Sequence, residues 1–359
     1  MSTHLERLGL RFNPFEPAAS GAPLGEGLWL PPDWSNRLQE LLHLLIQGRG
    51  TKAIAIAGEY GSGKTYVLQW LYRQELPKRQ IRPFYFDNPG VQFYDLANAL
   101  LRQIGRKNFA KCLWELAAPH VSGYQRSLFA RGFEEYLIGQ RTSRRQQEIP
   151  ADLQSAILKA GVTSDEEIAY RLARIIAETP TKPYFEYRDF VAGKRDSLVA
   201  EGEEAPYFKA ILRTLQLAGG VSAVAFLIDE FEEISLQKRL TRREAHDYLA
   251  TLKRLINLTQ SENLWLIVAM TPHAAEETRM LEPALWERFT GEGQYQFEIP
   301  PLTTDNAIDL VKFRLDAARV EDFTPPNHLF PFPDSFGTAL SPADYLESQA
   351  ACQGLFLCH

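Results

Sequence analysis

The sequence predicts an α/β protein built on a parallel sheet that is buried on both faces. Three observations predict it. Short apolar runs recur without the polar alternation of a half-exposed strand, at Ala53 to Ala57, Val224 to Ile228 and Leu264 to Met270. Stretches with helical spacing of apolar residues separate these runs, as expected when helices make the crossovers between parallel strands. The first run also passes directly into a glycine-rich segment and then an amphipathic one, a strand–loop–helix unit.

Residues 1–35 are rich in Pro and Gly and read as an irregular lead-in, with Phe12-Asn13-Pro14-Phe15, Gly21 to Gly27 and Pro31-Pro32. A helix is expected from about Arg37 to Gln47, with Leu38, Leu41, Leu42 and Leu45 on one face and Gly48 as its stop. The strand at Ala53 to Ala57 follows. A second strand is expected at Pro83-Phe84-Tyr85-Phe86, closed by the turn signal Asp87-Asn88-Pro89-Gly90. Residues 93–104 and 109–117 have helical spacing. The third strand, Val224 to Ile228, runs into Asp229-Glu230. A helix over about 242–259 starts from Thr241 and Glu244, the spacing of a capping box. The fourth strand, Leu264 to Met270, ends at Thr271-Pro272, and a short fifth strand is expected from Tyr295 to Ile299.

The glycine-rich segment is Gly58-Glu59-Tyr60-Gly61-Ser62-Gly63-Lys64-Thr65, a complete phosphate-binding loop. Its glycines let successive backbone N–H groups converge on a phosphate, where the N-terminus of the next helix adds positive charge. Lys64 is placed to reach the β- and γ-oxygens of a nucleoside triphosphate, and the Thr65 hydroxyl to ligate Mg²⁺. ATP and Mg²⁺ are therefore the expected ligands. With the apolar runs, this implies an α/β fold in which the loop sits at a strand end of a parallel sheet covered on both faces.

Asp229-Glu230 ends an apolar strand, where ligands of parallel α/β sheets sit. Asp229 is expected to hold Mg²⁺ through its water shell, and Glu230 to polarise the attacking water. The bland alternative is that the pair starts an acidic helix, since Glu232 and Glu233 follow. Thr271 is a candidate for sensing the γ-phosphate or orienting the water, and equally a routine residue at a strand's end. Arg288 is a candidate guanidinium for a neighbouring subunit's γ-phosphate, an effect worth about 10³–10⁵ in rate where it operates. Arg279 is the second choice. A surface ion pair with Glu287 or Glu292 is the ordinary reading of Arg288.

The interval between Lys64 and Asp229 is several times the roughly 30 residues of a βαβ unit. An insertion over 106–205 is therefore expected, with Ser164-Asp165-Glu166-Glu167 opening a helix that runs to Glu178. Its charge is mixed, which suits a folded helical segment rather than a disordered tail. The expected organisation is a lead-in at 1–35, a nucleotide domain at 36–105 and 206–302, the insertion, and a partial lid with tail at 303–359.

Composition sets the outer bounds. A chain of 359 residues with 45% hydrophobic content can bury a large core and divide into about two or three domains. Three cysteines, Cys112, Cys352 and Cys358, are too few for a disulfide framework, so a reducing cytoplasm is expected. Cys352, Cys358 and His359 lack a second ligand pair for a metal site. No apolar leader or membrane-length run is present. A net charge of −6 leaves nucleic-acid contact to local patches. Lys238, Arg239, Arg242 and Arg243 form one such patch, and Arg141, Arg144 and Arg145 another. Each reads as a solvated helix face or as a contact to a phosphate backbone.

With these residues in view, the chain resembles an AAA+ ATPase of the clade that holds origin-recognition initiators and the transposition and secretion ATPases. The resemblance rests on Phe12 to Phe15, Gly58 to Thr65, Phe226 to Glu230, Thr271-Pro272 and Leu285-Trp286-Glu287-Arg288-Phe289. Leu215 to Glu233 and Leu264 to Pro272 also resemble, more loosely, the ATP-binding proteins of BREX-type phage-defence islands. The resemblance covers about 10–120 and 205–320. It implies a P-loop NTPase αβα sandwich with a parallel sheet, a helical insertion and a short helical lid from Thr303-Thr304-Asp305, a lead-in packed near the adenine through Phe12 or Phe15, and homo-oligomers in which Arg288 acts in trans. Hydrophobic anchoring of the N-terminus explains those phenylalanines equally well.

The family's lids present a second arginine that is missing after Arg319, and no room is left for a DNA-binding winged helix. Either the lid is abbreviated or the chain is truncated. Two functions follow from this reading. One is an Mg²⁺-dependent ATPase whose nucleotide state drives assembly or switching in DNA transactions such as mobile elements, replication or phage defence. The other is an ATP-dependent adaptor without turnover that binds a partner protein through its insertion.

Overall fold

The computed structural model describes residues 4–15, 28–48, 52–87, 93–121, 149–179, 204–229, 231, 242–291 and 293–332. Five strands are present: β1 Ala53–Ala57, β2 Ile81–Phe86, β3 Ala223–Ile228, β4 Leu264–Met270 and β5 Gln296–Glu298. They form one sheet in the order β2-β3-β4-β1-β5, and every pairing is parallel. The register sets Ala57 opposite Met270, Ile228 opposite Val268 and Phe86 opposite Ile228. Strands β1, β3 and β4 therefore end close together on one edge. The chain leaves β1 for the far side of the sheet, returns strand by strand, and crosses β1 to reach β5. Such a reversal opens a crevice at the carboxyl ends of the strands.

Among the described residues the α-helices of seven or more residues are α1 Pro32–Gln47, α2 Lys64–Trp70, α3 Phe93–Ile104, α4 Arg106–Ala117, α5 Ile149–Lys159, α6 Glu166–Glu178, α7 Glu204–Gly219, α8 Arg242–Ser261, α9 Pro272–Leu281, α10 Pro283–Thr290 and α11 Thr304–Ala318. Helix α1 starts before the expected Arg37 because Pro32 opens it rather than breaking the chain. Proline is tolerated in the first turn, where its φ suits the helix and its missing N–H has no intrahelical acceptor. The same device opens α9 and α10. Helix α6 has the expected acidic start, with Asp165 Oδ1 accepting from Ile168 N at 2.9 Å. The capping box at Thr241 lies outside the described residues.

Successive strand residues point to opposite faces, and both faces are covered. Ile54, Ile56, Ala225, Leu227, Ile267 and Ala269 pack with Leu38, Leu41, Leu42 and Leu45 of α1 and with Val67 and Leu68 of α2. On the other face Ala53, Ala55, Val224, Phe226, Leu266 and Val268 join a larger cluster with residues from α3 through α10. Both faces being apolar is why these strands read as continuous hydrophobic runs. Helices α4, α5 and α6 fall within the 106–205 insertion, yet Phe109, Leu113, Leu153 and Leu172 belong to the sheet's own core.

A third, smaller cluster joins the two ends of the described chain. Leu10 and Phe15 pack against Val311, Leu315 and Ala318 of α11 and against Phe332. Arg11 N donates to Ala318 O at 2.7 Å, and Val320 N to Gly9 O at 2.9 Å. The lead-in is thus anchored on the helix that starts at Thr303, whose hydroxyl accepts from Asn306 N at 3.2 Å. No helix among the described residues is long and apolar enough to cross a membrane.

Phe226 is fully buried at the centre of the larger cluster, with ring centroids of Phe86 at 5.2 Å, Phe208 at 6.0 Å and Phe84 at 6.3 Å. Phe226→Ala is expected to lower unfolding stability by about 3–5 kcal/mol. The shift in the urea midpoint measures it.

Candidate functional site

The loop from Gly58 to Thr65 leaves the end of β1 where the β1–β4 ladder runs one step further, Gly58 N donating to Met270 O at 3.1 Å. It then folds back on itself. A Cβ on Gly58 would lie 2.3 Å from Ser62 Oγ, so a larger residue there would require the Ser62 hydroxyl to turn aside. Gly63 caps α2 in a left-handed conformation, φ 98° and ψ 17°, that favours glycine. No side chain caps the helix at that position. The first-turn N–H groups have no intrahelical acceptor and are aimed into the loop, an arrangement suited to an anion. The Ser62 hydroxyl is buried inside the loop without a hydrogen-bond partner.

Lys64 is 7% exposed and is folded back over the loop. Its Nζ donates to Gly58 O at 3.0 Å and Glu59 O at 3.2 Å, and lies 5.3 Å from the centroid of the exposed Tyr60 ring. The loop's own carbonyls hold the charge that a phosphate would otherwise attract.

Asp229 follows β3 directly and is 3% exposed. Its N–H donates to Phe86 O at 2.9 Å, continuing the ladder with β2. Its Oδ2 accepts from Thr65 Oγ1 at 2.7 Å, joining residues 164 positions apart. The same oxygen accepts from the Tyr85 hydroxyl at 2.7 Å. The Tyr85 ring meets Tyr72 edge-on at 6.3 Å, and its carbonyl accepts from Gln103 Nε2 at 2.7 Å. Burial pushes the Tyr85 hydroxyl well above its usual range, reinforced by its bond to Asp229 and by the charges of Asp229 and Asp87, while Gln69, one turn along α2 from Thr65, opposes the shift. Tyr85 therefore stays protonated and acts as a donor.

Thr271, at the end of β4 between the strands that carry the loop and Asp229, is 6% exposed. Its hydroxyl accepts from Ala274 N at 3.2 Å and caps α9. The hydroxyl proton is directed separately, so capping leaves it able to donate. Arg288 is exposed in the last turn of α10. Thr290 O, at the end of that helix, accepts from Tyr295 N at 2.9 Å, and Tyr295 leads into β5. Because β5 and β1 are parallel, Arg288 lies toward the edge where strands begin and the loop lies where they end. Arg279 is exposed and paired with Glu276 at 2.9 Å.

Glu230, Lys238, Arg239, Arg141, Arg144 and Arg145 lie outside the described residues, as do the side chains of Arg242 and Arg243. Two residues that sequence reasoning passed over also touch the site. Tyr85 is one; its only sequence signal is a hydroxyl-bearing ring one position before a strand's end. The other is Arg314 of α11, whose guanidinium lies 5.8 Å from the Tyr66 centroid on α2 and donates to Pro14 O at 3.3 Å. Arg314 links the lead-in, α11 and α2.

Among the described residues no group of three or more His, Cys, Asp or Glu could hold a metal. The Thr65–Asp229 pair offers hard oxygen donors, and Mg²⁺ usually takes one or two protein ligands with waters and phosphate oxygens completing its shell. The donor chemistry fits that ion. No protein-family model, curated protein or solved structure matches the chain.

Thr271→Ala removes a helix cap and is expected to destabilise the protein by about 1 kcal/mol. Thr271→Ser should restore most of this loss in the same thermal-melt comparison.

Proposed function

We propose that this chain is an Mg²⁺-dependent ATPase of the P-loop AAA+ kind, whose nucleotide state drives assembly or conformational switching in DNA transactions. The observation that carries the reading is the Thr65–Asp229 bond of 2.7 Å at the mouth of a glycine loop. It sets a hydroxyl and a carboxylate beside an uncapped helix N-terminus, the surroundings a metal-bound triphosphate needs. In this reading the loop's N–H groups cradle the β-phosphate, and Lys64 exchanges the carbonyls of Gly58 and Glu59 for phosphate oxygens. Thr65 and Asp229 would hold Mg²⁺, which would supply positive charge to offset the charge developing on the phosphate oxygens. Glu230 accepts a proton from the attacking water, and Thr271 donates to the γ-phosphate or that water.

Arg288, on the far edge of the sheet from its own loop, suits action on the nucleotide of a second copy. Assembly with Arg288 facing the neighbour's phosphates follows from this reading.

Lys64→Ala is expected to abolish ATP binding measured by calorimetry; unchanged affinity overturns the proposal. Glu230→Gln should bind ATP yet release phosphate at least about 10²-fold more slowly, as loss of a general base predicts. Wild-type protein that binds ATP without releasing phosphate, with or without DNA, supports the non-turnover adaptor instead. Arg288→Ala should lose activity only in the assembled protein, sized with ATP, with ADP and without nucleotide. Equal loss in a strict monomer rules out action in trans.

A further inference from the structure

We infer that Tyr85 is a positioning residue for the metal side of this site: its hydroxyl holds the Asp229 carboxylate in the orientation that receives the ion. The inference rests on the nucleotide reading and adds to it a residue from a strand that carries none of the motif positions.

Asp229 is held to α2 by the Thr65 hydroxyl and to β2 by the Tyr85 hydroxyl, both on Oδ2 and both at 2.7 Å. The two donors differ in what else they must do. Thr65 is also a candidate ligand, so its oxygen lone pairs turn to the ion while its proton stays on the carboxylate. Tyr85 has no such second duty. Its proton goes to Asp229. The ring is held edge-on by Tyr72 at 6.3 Å, and the backbone carbonyl is tied to Gln103. Tyr85 is thus the rigid half of the clamp.

A ring on β2 can reach Asp229 because of the sheet's register. Tyr85 pairs with Leu227, and side chains two apart on β3 share a face, so Tyr85, Leu227 and Asp229 all face α2. Thr65 reaches the same carboxylate oxygen from that helix, so the two hydroxyls hold Asp229 from two separate elements. Partners that orient a metal ligand typically cost about 10–100-fold in metal affinity when removed.

Tyr85→Phe keeps the ring and its contact with Tyr72 while deleting the hydroxyl. The test titrates MgCl₂ into the full chain with a fluorescent, non-hydrolysable ATP analogue. Tyr85→Phe should bind the analogue in EDTA as the wild type does, yet need about tenfold or more Mg²⁺ for half-maximal enhancement. Tyr72→Leu, which removes only the edge-on ring against Tyr85, should shift the Mg²⁺ requirement in the same direction by a few-fold, and it serves if Tyr85→Phe folds poorly. An unchanged Mg²⁺ requirement in a folded variant overturns the role of Tyr85 alone. A wild type that fails to bind the analogue, or binds it without regard to Mg²⁺, overturns the nucleotide reading and this inference together.

Discussion

The bond network around the Asp229 carboxylate is the constraint on which the rest of the site depends. A carboxylate that is 3% exposed is costly to bury unless donors satisfy it. Here two hydroxyls do so, one from the loop's helix and one from the neighbouring strand. The network therefore has a structural effect before any chemical one. It ties α2 to the ends of β2 and β3, and so sets where the loop from Gly58 to Thr65 lies against the sheet. The order β3-β4-β1 brings these strand ends together, and the parallel register keeps them level.

The loop itself is a compromise between closure and readiness. Gly58 and Gly63 permit a backbone path that other residues would obstruct or strain, and the uncapped start of α2 leaves donors aimed inward. The cation of Lys64 is satisfied internally by the carbonyls of Gly58 and Glu59. A ligand must offer that ammonium better acceptors than two neutral carbonyls, and phosphate oxygens do, because hydrogen bonds between ions are the stronger ones. The lead-in and α11 form a separate small core. Its link to the loop's helix runs through Arg314, whose guanidinium lies over the Tyr66 ring.

Legibility in the sequence followed locality. The strand Ala53 to Ala57, the helices at 93–104 and after Thr303, and the loop between Gly58 and Thr65 are each written in a contiguous stretch. Their hydrophobic period or glycine spacing needs no distant partner. Less was legible where the decisive neighbour is remote. Pro32 reads as a breaker until its position at the first turn of α1 is known. The helices of the 106–205 insertion read as an added unit, and only packing reveals that Phe109 and Leu172 complete the sheet's own core. Tyr85 looks like one more aromatic of an apolar strand. Its hydroxyl acquires a role because Asp229, from another strand, ends beside it.

The sequence by itself determined the α/β class, the loop with its glycines, lysine and threonine, and the acidic end of the third strand. These follow from backbone sterics and burial period, which act between near neighbours. Only the tertiary structure decided the strand order, the convergence of Thr65, Tyr85 and Asp229 on one oxygen, the anchoring of the lead-in on α11, and the placement of Arg288 away from its own loop. Those are outcomes of register and packing between distant segments, which no local spacing encodes.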